Sequence, residues 1–135
     1  MTDLLFKIDH RIRYFLMLDT ETCNTISING RLDMSNALTY DIGVAVCDKR
    51  GKIYLTKSYI VKEIFFGMKD LMQSAYYANK IPQYLKDIEE GKREVKSWYE
   101  IRKEIMEICE QFGIDTIVSH NARFDNIALK NLSRY

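Results

Sequence analysis

Tyr14-Phe15-Leu16-Met17-Leu18 is an unbroken apolar run of strand length. A strand with one face in water alternates apolar with polar residues, so a continuous run predicts a central strand covered on both faces. The run ends abruptly in Asp19-Thr20-Glu21-Thr22. A chain that buries both faces of one strand needs helices over its sheet, and in such sheets ligands bind outside the carboxyl ends of the strands. The two carboxylates stand at such an end.

The rest of the sequence supplies that architecture. Residues Thr25 to Asn36 are rich in Ser, Thr, Asn and Gly and predict a loop. Tyr40 to Cys47 and Lys52 to Val61 are β-rich, and Asp48-Lys49-Arg50-Gly51 between them supplies the turn residues of a hairpin. From Glu63 to Gly91 a weaker helical periodicity, carried by Leu71, Met72, Ala75 and Tyr76 and then by Tyr84, Leu85 and Ile88, predicts two short helices broken at Pro82.

Ser97-Trp98-Tyr99-Glu100 is a capping-box pattern. It opens a helix with Ile101, Ile105, Ile108, Cys109 and Phe112 on one side, ended by Gly113. Thr116 to Ser119 reads as a short buried strand, and Asn121 can cap a last helix running toward Leu132. The order strand, hairpin, helices, strand, helix predicts an α/β fold in which the strands at Tyr14 and Thr116 lie parallel and adjacent.

Composition bounds the partners. With 135 residues, 47% of them apolar, the chain suits one domain spanning 1–135. A net charge of +1 gives no global attraction to a polyanion or an acidic membrane, so any nucleic-acid contact must be local. No apolar run approaches a membrane span, and Met1 to His10 carries acidic residues where a secretion signal wants basic ones, so the chain reads as cytoplasmic. Cys23, Cys47 and Cys109 are scattered, with no C-x-x-C pair. That argues against a disulfide framework or a zinc site and for reduced thiols, Cys47 and Cys109 being buried.

Asp19 and Glu21, at i and i+2, point to one face of a strand with Cα atoms roughly 6.5 to 7 Å apart. Their like charges repel unless a cation lies between them, and an oxygen-only donor set suits magnesium or manganese. Two such ions can activate a water for attack on a phosphodiester and stabilise the departing oxygen. By itself a D-x-E pair is as well explained by turn chemistry. The second cluster, His120-Asn121-Ala122-Arg123-Phe124-Asp125, again follows an apolar strand, with Asp125 in the first turn of a helix where the dipole also favours a negative charge. The three carboxylates are therefore expected to converge on one cleft.

Phe15 to Thr22 and Ser119 to Asp125 resemble the first and second motifs of the DEDD (DnaQ-like) 3′-to-5′ exonucleases, a family that includes the proofreading epsilon subunit of bacterial DNA polymerase III. The likeness runs on through Tyr40-Asp41-Ile42-Gly43. It implies a ribonuclease H-like mixed sheet flanked by helices. It also implies two divalent metal ions (Mg2+ or Mn2+), with Asp19 and Glu21 as ligands of one, and Asp19 and Asp125 holding the second. Thr20 and Thr22 would then lie near the terminal nucleotide of a single-stranded DNA or RNA 3′ end, with Asn121 and Phe124 bordering the substrate cleft. A DNA polymerase is an implied partner. Where the family carries Gly two residues beyond Thr22, this chain has Asn24, which tolerates the left-handed conformation.

No counterpart of the family's third motif, a His or Tyr followed by a last Asp, precedes Tyr135. The fold is accordingly expected to stop before its last strand and helix, to hydrolyse nucleic acid weakly or not at all, and to leave the strand at Thr116 as an exposed edge open to a homodimer. His10 and His120 receive no catalytic role.

Two other readings compete: a catalytically inactive nucleic-acid-binding or assembly module of the same fold, and a haloacid dehalogenase-like phosphatase, which would need Asp in place of Glu21. Tyr76, Tyr77, Tyr84, Trp98 and Tyr99 offer stacking surfaces, although aromatics at helical spacing are more often core. Lys62, Lys69, Lys80, Arg123 and Lys130 can neutralise phosphates, and a solvated helix face explains them equally.

Overall fold

The computed structural model of the protein describes residues 7–25, 29–31, 35–75, 77–120 and 122–132. Its centre is a mixed sheet of β1 (Tyr14–Cys23), β2 (Leu38–Asp48), β3 (Ile53–Val61), β4 (Glu94–Lys96) and β5 (Ile117–Val118) in the order β4-β3-β2-β1-β5. β1 and β2 are antiparallel, as are β2 and β3, whereas β5 lies parallel to β1 and β4 parallel to β3. The expected α/β class, the hairpin and the adjacency of β1 and β5 are all present.

Among the described residues the helices are α1 (Lys62–Phe65), α2 (Lys69–Met72), α3 (Ile81–Glu89), α4 (Trp98–Phe112) and α5 (Ala122–Leu132), with a 3-10 turn at Ala78–Lys80 before α3. None is long and apolar enough to cross a membrane.

Register divides the sheet into two faces. Leu16, Leu18 and Thr20 of β1 stand opposite Val46, Val44 and Ile42 of β2 on one face. α4 packs on that face through Ile101, Ile108 and Phe112, the Phe112 ring meeting Tyr14 edge-on at 5.0 Å. α5 completes the layer with Ala128 and Leu132, both fully buried, and Asn131 donates to the carbonyls of Ser35 and Ala37. On the other face Met17, Asp19 and Glu21 align with Ala45, Gly43 and Asp41.

α4 begins and ends as its sequence signals predict. Ser97 accepts from the Glu100 N–H, Glu63 of α1 accepts from the Trp98 N–H, and Gly113 takes φ 65°, a left-handed C-cap that costs glycine nothing.

Four expectations are corrected. The apolar run of β1 is not covered on both faces, since Met17 is 41% exposed, and the strand runs on through Asp19 and Glu21 to Cys23, paired with Leu38 to Gly43 of β2 across a bulge between Glu21 and Thr22. Pro82 opens α3 rather than breaking a helix, since the missing N–H of proline is harmless in a first turn. β5 is exposed at the sheet edge, Ile117 by 57% and Val118 by 38%, not buried. Of the thiols, Cys23 is the buried one, while Cys47 and Cys109 are half-buried. β4 had no counterpart in the sequence reading.

Candidate active site

Because β1 continues past its apolar run, Asp19 and Glu21 are held as strand residues at the carboxyl end of a central strand, not as loop residues. Both line a cleft of about 380 Å3 whose floor also includes Asp41, Gly43 and Ser58 of β2 and β3. Gly43 stands across the ladder from Asp19 and offers no side chain, which leaves the floor open. Tyr77, Lys80, Gln83, Tyr84 and Asp87, from the 3-10 turn and α3, form the opposite wall.

Glu21 and Asp41 are direct cross-strand partners, a pairing of like charges that destabilises a sheet unless something compensates. Asp41 is compensated. Its Oδ2 accepts from the Tyr84 hydroxyl at 2.8 Å and from Arg93 Nη1 at 2.9 Å. Arg93 also donates through Nε to Asp87 at 3.2 Å, and its guanidinium lies 4.3 Å from the Tyr84 ring centroid. Burial raises the Asp41 carboxyl above its ordinary range, with Tyr84 and Arg93 opposing that rise. Burial and the adjoining carboxylate likewise push the Tyr84 phenol up.

Among the described residues Glu21 has no such partner set. Its carboxyl is raised by burial first and then by the charges of Asp19 and Asp41, while the Lys80 ammonium pulls it back down and Asp125 adds a smaller rise. An oxygen-only pair in mutual repulsion on an open face is the donor chemistry that a hard divalent cation satisfies. Asp19 and Glu21 fit one.

Asp125 is in the first turn of α5, as expected, and it is 5% exposed. It accepts hydrogen bonds from the Thr20 hydroxyl and from the Ser119 hydroxyl. Side chains alternate across a strand, so Thr20 points to the face opposite Asp19 and Glu21, and Asp125 approaches β1 from that opposite side. The structure thus brings Asp19 and Glu21 together and ties Asp125 to the same strand without aiming it into their cleft. Among the described residues no three His, Cys, Asp or Glu side chains stand together closely enough to hold one ion.

The remaining site candidates are spread. Thr20 is buried at 6% rather than facing the cleft, and Thr22 is half-buried. Asn121 and the side chain of Phe124 lie outside the described residues, as does Tyr76. Tyr77 and Tyr84 line the cleft, Trp98 packs against the core, and Tyr99 is 72% exposed on α4. Asn24 adopts φ 58°, the left-handed conformation foreseen for it.

Sequence reasoning missed Asp41 and Arg93 as site residues. The signal for Asp41 was a lone carboxylate in an apolar strand, which must find a buried partner. Arg93 follows a Gly91-Lys92 turn and carries no local signal at all. No family model and no curated protein matches the chain.

Proposed function

We propose that the chain carries the metal-binding face of a 3′-to-5′ exonuclease, a phosphodiester hydrolase acting in the cytoplasm on single-stranded or frayed 3′ ends, built on a ribonuclease H-like sheet. One observation carries the reading: Asp19 and Glu21 stand side by side on the open face of the central strand at its carboxyl end, beside a parallel strand whose following helix ties Asp125 to Thr20, the residue between them. The motifs that resemble DEDD exonucleases are the segments that meet there.

Asp19 and Glu21 would hold a magnesium or manganese ion, which when bound supplies an activated water and stabilises the departing oxygen. Burial and then the charges of Asp19 and Asp41 raise Glu21, and a bound cation would relieve the repulsive part. Arg93 and Tyr84 keep Asp41 turned toward themselves, so the floor beside Glu21 holds its shape. A second ion would need Asp125 to turn from Thr20 and Ser119, which hold its carboxylate, toward the cleft. A strand end reaches such a cleft more readily than a stacked duplex, which must first be unpaired. Proofreading beside a DNA polymerase, or repair, is the role such an activity fills.

The position of Asp125 also favours a second reading, a nucleic-acid-binding or assembly module without hydrolysis. The two are separated by incubating excess protein and manganese with oligonucleotides labelled at either end. The exonuclease reading expects slow loss from the 3′ end, faster on single strands than on blunt duplexes. Release from the 5′ end, equal rates on both substrates, or no cleavage at all would remove it.

A further inference from the structure

The cleft has an acidic floor, yet one cation on its wall is left for a ligand. Arg93 is committed to Asp41 and Asp87, whereas Lys80 is exposed and, among the described residues, forms no ion pair. Its ammonium lies 4.4 Å from the Tyr77 ring centroid and near enough to Glu21 to lower that carboxyl. Lys80 ends the 3-10 turn and leads into α3, so the wall fixes its Cα at the cleft.

We propose that Lys80 is a substrate-binding residue that receives a phosphodiester of a single-stranded nucleic acid entering between this wall and the Asp19–Glu21 pair. The inference rests on the exonuclease reading for the direction of entry and deepens it by naming the contact. The chemistry favours it on three counts. A strand of phosphates is repelled by the carboxylates of the floor, and a cation on the facing wall offsets that repulsion. Lys80 is the wall cation that no carboxylate of the described residues occupies. Tyr77 holds the ammonium beside the cleft opening instead of letting it extend into bulk water.

A single phosphate contact adds affinity without sequence preference and gives binding one more increment of salt dependence. Lys80→Met keeps the stem and removes the charge, and Lys80→Arg restores it. Binding is read as fluorescence polarisation of a 5′-fluorescein oligothymidylate in calcium over a range of salt, with Tm recorded for each variant. The same proteins and Asp19→Asn are assayed for manganese-dependent hydrolysis.

Lys80→Met should bind about tenfold more weakly, with a salt slope shallower by about 0.7, while Lys80→Arg binds within about twofold of the parent. An unchanged affinity and slope in Lys80→Met overturns the proposal, and so does a parent protein that does not bind the oligonucleotide. Weakened binding by Lys80→Met with no hydrolysis by the parent supports the contact and removes the exonuclease reading instead. Asp19-dependent hydrolysis with unaltered Lys80→Met binding does the reverse.

Discussion

Glu21 is the residue on which stability and chemistry pull in opposite directions. Its carboxyl is raised by burial and by Asp19 and Asp41. A carboxyl raised in the folded state binds its proton more tightly there, so the native state gains stability as pH falls through the raised value and loses it as pH rises. Glu21→Gln removes the opposed charge. The variant should melt about 1–3 °C above the parent near pH 8, and the difference should vanish toward about pH 4, as followed by circular dichroism. A lower Tm than the parent at the higher pH would show that Glu21 is not under repulsion. On the other side of β1, Thr20 donates to the buried Asp125. Thr20→Val strips a donor from a buried carboxylate and should cost about 1–3 kcal/mol in urea unfolding. A change below about 0.5 kcal/mol would show that Asp125 does not depend on Thr20.

At the level of elements, legibility followed the locality of the cause. α4 was readable because its determinants are local: a capping box, an apolar stripe and a glycine. Ser97→Ala should therefore destabilise the protein by about 1 kcal/mol, less whatever the Glu63 carboxylate recovers by holding the Trp98 N–H, with the loss read from urea midpoints. No loss would mean that Glu63 alone secures the helix start. The bulge between Glu21 and Thr22 and the pairing of β1 on to Cys23 were not readable, since they are set by the ladder to β2, a partner some twenty residues distant in sequence. β4 was missed for the same reason. Its three residues have no apolar alternation and are strand only through β3, and Lys57, Lys96, Glu94 and Glu104 then knit β3, β4 and α4 together by ion pairs. Pro82 was misjudged by treating proline as a breaker when its place in a first turn makes it a starter.

The whole molecule is a sheet with one well-covered face and one face that is partly open. At the β1–β5 margin Met17, Ile117 and Val118 are exposed, and β5 is the last strand in the described sheet. An edge of this kind pairs readily with a second copy. If it does so here, Val118→Lys should shift sedimentation toward the monomer at high protein concentration; a monomeric parent would exclude pairing through β5. The candidate site was half legible for a related reason. Alternation along β1 was enough to place Asp19 and Glu21 on one face, because that rule needs only the strand itself. Which side α5 takes, and hence where Asp125 points, is decided by its packing through Ala128 and Leu132, which no local pattern states.

The central claim is that Asp19 and Glu21 together hold a hard cation, and manganese titration followed by electron paramagnetic resonance tests it most directly. The parent protein should remove free manganese from solution, and magnesium should compete for the same site. Asp19→Asn and Glu21→Gln should each weaken binding by at least about tenfold, without loss of fold by circular dichroism. Equal manganese binding by the parent and both variants, or none by the parent, would contradict the account.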